Sequence, residues 1–202
     1  MLRVGLTGSI ATGKSFVSGV LAGLGCHVVD ADELARKVVE RGTEGLRRVS
    51  EAFGAGVVRE DGTLDRAALG SLVFGDEDRR ALLNSILHPL IMAEQDALLN
   101  QWELEDARGV GIVDAALLIE SGGFRRFDKL IVVHCRPDVQ LERLMQRNSL
   151  SREDALARIN AQLSREEKLK HADFAVDTSG GFDETRARVE EVYEQLRRLA
   201  AE

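Results

Sequence analysis

The stretch Gly8-Ser9-Ile10-Ala11-Thr12-Gly13-Lys14-Ser15 decides the fold class of this chain. It matches the pattern G-x-x-x-x-G-K-[ST], in which a glycine-rich loop turns its backbone amide groups toward phosphate. An apolar run at residues 2–6 precedes the loop, and apolar residues at helical spacing follow it. A buried strand before the loop and a helix after it are the context that this motif requires. We therefore predict a phosphate-binding loop, or P-loop, near the start of a parallel α/β domain.

Further apolar runs predict additional buried strands. They lie at residues 27–29, 110–113, 130–135 and 174–176. Short apolar runs between charged or turn residues are typical of parallel strands that are covered on both faces. The first helix is predicted from about Lys14 to Gly25, and the last covers residues 183–199. Strands that alternate with helices indicate an α/β fold.

Two long segments between these strands have a helical pattern. Residues 32–105 are helical almost throughout, with turn signals at Gly42, at residues 54–56 and at Asp61-Gly62. That is too many helices for one crossover connection, so we predict a separate helical lobe. Residues 138–171 are also helical and rich in arginine, and Ser164 with Glu167 forms a capping box for the last helix of this segment. We interpret the second segment as a lid.

Each part of the P-loop has a chemical task. Gly8 and Gly13 allow the backbone to turn so that successive N–H groups face phosphate oxygens, and the dipole of the following helix favours negative charge there. Lys14 is long enough to reach the β- and γ-phosphates, and the Ser15 hydroxyl can ligate magnesium. The loop thus predicts ATP and Mg²⁺ as ligands, with Ser15 as the metal-binding residue.

Two aspartates stand where the second predicted strand ends. Ligands of open α/β sheets bind beyond the carboxyl ends of the strands, so Asp30 and Asp32 are both candidates for the site. Asp30 also has Glu33 three residues later, which fits a helix cap, and its role stays open between the two. Asp32 is the better candidate to face an acceptor hydroxyl, either as a base or by orienting the hydroxyl for in-line attack.

The predicted lid carries two arginines on one helix face. Arg143 and Arg147 are four residues apart, and neither has an acidic residue three or four positions away. Such a pair of like charges disfavours an isolated helix, so a phosphate partner is one explanation. A solvated helix face is the other explanation.

Two more polar residues are candidates for the site. His88 with Pro89 is predicted to start a helix, where the histidine is a cap, a core residue or a ligand. Glu120 follows the third strand, where it contributes to a magnesium water shell or is simply exposed. The sequence does not separate these alternatives.

Composition limits the classes of partner. The net charge of −7 argues against a protein that mainly coats nucleic acid or anionic lipid. Cys26 and Cys135 have no metal-ligand spacing, so we predict buried, reduced thiols on strands. The first residues form neither a signal peptide nor a membrane span, so we expect a cytoplasmic location. The oligomeric state has no signature in the sequence.

Taken together, these segments resemble the dephospho-CoA kinase family over nearly the whole chain. The P-loop alone is generic, whereas the segments Val-Asp-Ala-Asp at 29–32 and Leu-His-Pro-Leu-Ile at 87–91 are specific to that family. Further resemblance lies at residues 4–8, at Ala35-Arg36, at 61–66, at Leu83-Asn84, at Leu117-Leu118 with Glu120, at 140–143 and at Gln146-Arg147.

The resemblance implies a P-loop NTPase-type three-layer α/β/α fold with a five-stranded parallel sheet, a helical substrate lobe and a helical lid. It implies a nucleotide-binding core of residues 1–31, 106–137 and 172–202, a coenzyme A domain at 32–105 and a lid at 138–171. The implied reaction is ATP-dependent phosphorylation of the ribose 3′-hydroxyl of dephospho-coenzyme A, the last step of coenzyme A synthesis.

The resemblance also implies roles for individual residues. The implied catalytic residues are Asp32, Lys14 and Arg143. The implied nucleotide-binding residues are Gly8, Ala11, Thr12, Gly13, Lys14, Ser15, Phe16, Arg143 and Arg147, and the implied substrate-binding residues are Asp32, Arg36, His88 and Glu120. The chain departs from the usual pattern at Ala11-Thr12, Phe16, Ala116 and Thr178. Because Lys14 and Ser15 are kept, we expect activity.

Rival functions make different demands on the sequence. A shikimate-like or nucleoside kinase shares the P-loop and an aspartate after strand two, but the large insertion after Asp32 argues against the compact shikimate type. A GTPase switch needs the guanine-reading motif N-K-x-D, which is absent. A non-catalytic ATP-binding module leaves Asp32 and the lid arginines without an explanation.

Overall fold

The computed structural model describes all 202 residues. The chain divides into two compact units, each with a hydrophobic core of its own. The first, here called the core unit, comprises Met1–Val29 and Leu99–Glu202, and the second, the helical unit, comprises Asp30–Leu98.

One parallel sheet of five strands organises the core unit. Its order is β2-β3-β1-β4-β5, so the strand that leads into the P-loop is central. The parallel register pairs Leu6 of the central strand with Asp114 on one side and with Ile131 on the other. The strands are β1 Leu2–Gly8, β2 His27–Asp30, β3 Val110–Asp114, β4 Lys129–His134 and β5 Phe174–Asp177. The predicted five-stranded parallel sheet is confirmed.

Nine α-helices complete the chain. None of them is both long enough and apolar enough to cross a membrane. The helices are α1 Lys14–Gly23, α2 Ala31–Lys37, α3 Glu44–Phe53, α4 Arg66–Val73, α5 Glu77–Glu105, α6 Pro137–Asn148, α7 Arg152–Asn160, α8 Arg165–Leu169 and α9 Phe182–Ala201.

The alternation of side chains along β4 shows why the sheet is covered on both faces. Ile131 and Val133 belong to one buried cluster, which includes residues of α1 and α9. Leu130 and Val132 point the other way, into a second cluster that Leu169 of α8 also packs against. Because successive strand residues face opposite sides, two apolar sets require two covering layers. The predicted three-layer α/β/α architecture is confirmed.

The helical unit is held by its own core and by local helix caps. Its buried residues include Val49 of α3 and Leu69 of α4, with side chains of α5 packed against them. The Thr43 hydroxyl accepts from the Leu46 amide at the start of α3, and the Asp65 carboxylate caps α4. Side-chain caps satisfy amide groups that have no acceptor inside the helix, so these residues fix where the helices begin.

The prediction that His88 and Pro89 start a helix is wrong. Pro89 lies inside α5, which begins at Glu77. Proline inside a helix removes one backbone hydrogen bond and costs about 3 kcal/mol. Leu87 and Leu90 pack against the apolar core of the helical unit on either side of this position. Tertiary packing therefore keeps the helix continuous where the local signal indicates a boundary.

The two cysteines are free and buried, as predicted, but they are not on strands. Cys26 comes directly before β2 and Cys135 directly after β4. Burial raises the pKa of the Cys26 thiol to about 12, and it also raises the pKa of Cys135. Both thiols are therefore weaker nucleophiles at neutral pH than an exposed cysteine.

Candidate active site

The P-loop connects the end of the central strand to α1, and its glycines shape a cradle. Gly13 has a φ of 85°, a left-handed conformation that favours glycine. A Cβ atom at Gly8 would lie 2.6 Å from the carbonyl oxygen of Val133 and 2.8 Å from the Thr12 hydroxyl. Gly13 thus provides the backbone conformation, and Gly8 the close approach, that other residues do not allow.

Ala11 and Thr12, two of the departures from the usual family pattern, form the tip of the loop. Ala11 has a φ of 61°, so an L-residue occupies a left-handed conformation there. The Thr12 amide and hydroxyl both donate to the carbonyl oxygen of Ser9, at 3.2 and 2.8 Å. These bonds close a tight turn with Ala11 inside it. The backbone strain at Ala11 costs roughly 1–2 kcal/mol.

Two glutamines from distant parts of the chain hold the loop at Ile10. The Ile10 amide donates to Gln162 Oε1 at 2.7 Å, and Gln140 Nε2 donates to the Ile10 carbonyl oxygen at 2.8 Å. Gln140 lies on α6 and Gln162 follows α7. The segment predicted as a lid therefore fixes the outer side of the P-loop.

Lys14 forms an ion pair with Asp114 at the end of β3. The carboxylate is almost fully buried, with 4% of the residue exposed. Asp114 is not among the residues predicted from the sequence, although it ends an apolar strand as Asp30 does. Adjacent parallel strands bring their carboxyl ends to one edge of a sheet, and β3 is a neighbour of β1. The topology therefore places this aspartate beside the P-loop lysine.

The loop and the first turn of α1 fit a triphosphate with a hard divalent cation. The first amide groups of a helix have no acceptor within it, and they attract anions together with the helix dipole. Ser15, in this turn, is exposed. P-loop sites hold magnesium with a serine or threonine hydroxyl and an aspartate carboxylate, and Ser15 and Asp114 are residues of these two kinds. No group of three or more His, Cys, Asp or Glu residues suits a metal, and magnesium needs no such cage because phosphates and water complete its shell.

The structure places Arg143 close to the P-loop through Thr178. Its Nη1 donates to Thr178 Oγ1 at 3.0 Å, and Nη2 donates to the Thr178 carbonyl oxygen at 2.7 Å. The Thr178 hydroxyl in turn donates to the carbonyl oxygen of Thr12 at 2.6 Å. Arg147 instead donates to Asn148 at 2.9 Å. Of these two arginines of α6, only Arg143 is linked to the P-loop, through the hydrogen bonds of Thr178.

Phe16 and Glu120 have protein partners. The Phe16 ring, in the first turn of α1, lies 4.9 Å from the ring of Phe182. Glu120 Oε1 accepts from Lys168 Nζ at 2.7 Å and from the Leu163 amide at 3.4 Å. Glu120 is thus neither simply exposed nor bonded to the P-loop.

In the helical unit, the side chains of Asp30 and Asp32 differ in their contacts. The Asp30 carboxylate accepts from the Asp32 amide at 2.7 Å and caps α2, which confirms the capping alternative for Asp30. The side chains of Asp32, Arg36 and His88 are exposed and make no hydrogen bond or ion pair within this unit. His88 lies in the middle of α5, so it is neither a cap nor a core residue.

Sequence comparisons give one family throughout. A family model described as dephospho-CoA kinase matches residues 2–184. The chain is 46% identical over 188 residues to a dephospho-CoA kinase from Listeria innocua, and the match covers 92% of each protein. It is 42% identical to one from Geobacillus kaustophilus, with 96% of each covered, and 44% identical to one from Streptomyces avermitilis, with 97% and 94% covered.

Solved structures agree with the sequence comparisons. The protein TT1252 from Thermus thermophilus superposes with a TM-score of 0.82 at 31% identity, covering 96% of this chain and 97% of that one. A dephospho-CoA kinase from Campylobacter jejuni gives a TM-score of 0.64 at 28% identity, with 96% of each chain covered. A shikimate kinase from Acinetobacter baumannii, with a TM-score of 0.51 at 17% identity, shares the fold alone. The chain belongs to the dephospho-CoA kinase family, and it is a kinase built on a P-loop.

Proposed function

We propose that this chain transfers the γ-phosphoryl group of ATP to the ribose 3′-hydroxyl of dephospho-coenzyme A, giving coenzyme A and ADP. The observation that carries this proposal is the P-loop with Lys14 beside a buried carboxylate, in a chain whose residues 2–184 match the dephospho-CoA kinase family. A phosphate cradle alone supports many reactions, and the family match selects this acceptor.

The core unit binds and activates the nucleotide in this proposal. The amides of the P-loop and of the first turn of α1 bind the phosphates, while Lys14 contacts the β- and γ-phosphates. Arg143, held beside the loop by Thr178, provides positive charge for the transferring group. The transition state of phosphoryl transfer is loose, so positioning and charge stabilisation supply most of the catalysis.

Ser15 and Asp114 are the residues that we assign to magnesium. When bound, magnesium would neutralise the negative charge that develops on the phosphates during transfer. Asp114 is held next to Lys14, so the lysine and the carboxylate work at one place in the site. The carboxylate contributes negative charge for the cation, and the lysine contributes positive charge for the phosphates.

The helical unit supplies the acceptor side. We assign the predicted segment 32–105, most of which belongs to the helical unit, to the coenzyme A moiety. In this assignment Asp32 lies at the reacting hydroxyl as base or orienting group, and Arg36 and His88 bind the substrate. The side chains of these three residues are exposed and have no hydrogen-bond or ion-pair partner within the helical unit, which supports this assignment. Residues 138–171, which carry Arg143 and Arg147, are the proposed lid.

The direct test measures ADP release with ATP and a series of acceptors. We expect turnover with dephospho-coenzyme A and only background with adenosine, thymidylate or shikimate. Lys14→Ala should lower turnover about 1000-fold, since it removes a charge at the transferring phosphate. Its loss of stability should be about 1–2 kcal/mol, measured by denaturant unfolding. Turnover with another acceptor only, or ATP binding without ADP release, contradicts the proposal.

We also infer a cytoplasmic location for the protein. The two free, buried cysteines support it, because reducing compartments keep such thiols unpaired. Recovery of the native protein in a membrane or periplasmic fraction contradicts this inference.

A further inference from the structure

Lys168 is a buried cation outside the residues assigned to the reaction. It lies on α8, and only 1% of the residue is exposed. A lysine in the interior is costly unless its ammonium group is paired and hydrogen-bonded. The partners of this ammonium group therefore indicate the role of Lys168.

The hydrogen bond and the ion pair of the Lys168 ammonium group are both with the loop that follows Asp114, residues 115–121. Nζ lies 2.7 Å from Glu120 Oε1 and donates to the Ala116 carbonyl oxygen at 3.2 Å. The Ala116 carbonyl oxygen also accepts from the Thr7 hydroxyl at 3.1 Å. Two donors from different elements thus converge on one carbonyl, two residues beyond Asp114.

The fixed loop constrains the direction of the Asp114 carboxylate. The Ala115 amide donates to the Leu6 carbonyl oxygen at 3.0 Å, which continues the pairing of β1 and β3 by one residue. Ala116 is then held by Lys168 and Thr7, and Glu120 is held at the far end of the loop. These contacts fix the backbone that leaves Asp114, and with it the direction of the Asp114 Cα–Cβ bond.

We infer that Lys168 is a positioning residue for Asp114: its ammonium group holds the loop so that the carboxylate stays directed at the P-loop lysine and at the magnesium of bound ATP. The inference rests on the proposed role of Asp114 in metal binding. Residues that orient a metal ligand typically change metal affinity 10- to 100-fold when they are removed.

A second lysine in the core unit provides a matched control. Lys129 forms an ion pair with Asp173 at 3.3 Å, but it lies at the amino end of β4, away from the P-loop edge of the sheet. Replacing either lysine by methionine keeps most of the volume and removes one charge. Only Lys168→Met should affect the Asp114 side of the site.

The experiment is a titration of ATP by calorimetry with and without Mg²⁺ on the wild type, Lys168→Met and Lys129→Met. We expect Lys168→Met to reduce the gain in affinity from Mg²⁺ about 10-fold. Its affinity for metal-free ATP should change less than about twofold, and Lys129→Met should behave as the wild type. The Mg²⁺ concentration for half-maximal turnover should rise in parallel for Lys168→Met alone.

The inference is overturned if Mg²⁺ raises the ATP affinity of Lys168→Met as much as that of the wild type and only the melting temperature falls. Lys168 then has a purely structural role. If Lys168→Met does not fold, Glu120→Gln carries the same test, since it removes the ion pair and keeps the side-chain shape. A wild type that binds Mg²⁺-ATP without phosphorylating dephospho-coenzyme A refutes the proposed function, and the calorimetric comparison still decides the role of Lys168.

Discussion

The core unit and the helical unit hold their polar groups in different ways. In the core unit, the P-loop is bonded to residues far along the chain, and the bond between Thr178 and Thr12 joins positions 166 residues apart. In the helical unit, the polar contacts are mainly local caps and pairs such as Arg47 with Glu44, three residues apart. The candidate substrate residues Asp32 and His88 are exposed there and make no such contact.

With the helical unit as the proposed acceptor side, this difference predicts that the phosphate side is organised before binding and that the acceptor side is organised by binding. Groups fixed in advance need no reorganisation when charge develops on the transferring phosphoryl group. Exposed side chains lose conformational entropy when they are ordered by a ligand, and this loss lowers the affinity. Only a ligand that makes enough contacts offsets the loss, so binding is selective. Variants of the exposed substrate candidates such as Asp32 should therefore change activity and leave the free energy of unfolding unchanged. Variants that remove hydrogen bonds to the P-loop should change both activity and stability.

Among the variants that test this difference between the two units, Asp32→Asn is expected to have the largest effect. Turnover should fall about 100-fold, because a group positioned for proton transfer or hydroxyl orientation typically contributes 10²–10⁴-fold. The free energy of unfolding should change by less than about 0.5 kcal/mol, since the side chain lacks partners and only a helix-dipole interaction is lost. Steady-state kinetics and urea unfolding measure the two quantities.

Glu33→Gln is the matched control for Asp32→Asn, because Glu33 is the other acidic residue in the first turn of α2. It should have the same small effect on stability and wild-type turnover. Equal turnover of the two variants contradicts the role of Asp32.

An intermediate effect is expected for Thr178→Val in the core unit. The variant keeps the shape but removes the hydroxyl that joins Arg143 to the Thr12 carbonyl. We expect the KM for ATP to rise about 10-fold and stability to fall by about 1–3 kcal/mol, because a buried carbonyl loses its donor. Thr178→Ser should restore both values.

The control for Thr178→Val is Thr185→Val, at a buried threonine of α9 whose side chain makes no hydrogen bond with the P-loop. It should leave the KM for ATP unchanged. A loss of stability without a change in the KM of Thr178→Val would show that the hydroxyl does not organise the nucleotide site.

The smallest effect is expected for Ala11→Gly, and it has the opposite sign. Glycine relieves the strain of the left-handed backbone at φ 61° but increases the freedom of the unfolded chain. The net gain should be about 0.5 kcal/mol, or about 1–2 °C in the melting temperature. Ala22→Gly, at an exposed position inside α1, should instead cost about 1 kcal/mol. Similar losses in both variants would show that Ala11 is not strained.

The fold was predictable from local signals where packing and local preference agree. The runs before the P-loop and at β3, β4 and β5 are apolar because parallel strands are buried on both faces, so their positions followed from composition. Pro89 failed as a boundary signal because the apolar contacts of Leu87 and Leu90 keep α5 intact around it. Local sequence does not reveal such tertiary compensation.

The site was predictable in part. The loop, Lys14 and Ser15 follow from one motif, and the cap at Asp30 followed from its spacing to Glu33. Asp114 was not predicted, because its contact with Lys14 joins two residues that are 100 positions apart in sequence. The roles of Thr178 and Lys168 depend on contacts between segments far apart in sequence, which no periodicity or spacing encodes.

The chain contains five lysines, and they differ widely in their access to solvent. The side chains of Lys37 and Lys170 are 59% and 64% exposed, whereas that of Lys168 is 1% exposed and ion-paired. Amine-reactive reagents attack only a free, accessible amino group. Acylation of Lys168 therefore records the opening of α8 from its neighbouring loop, and this residue acts as an internal reporter of local unfolding that mass spectrometry can read against the surface lysines.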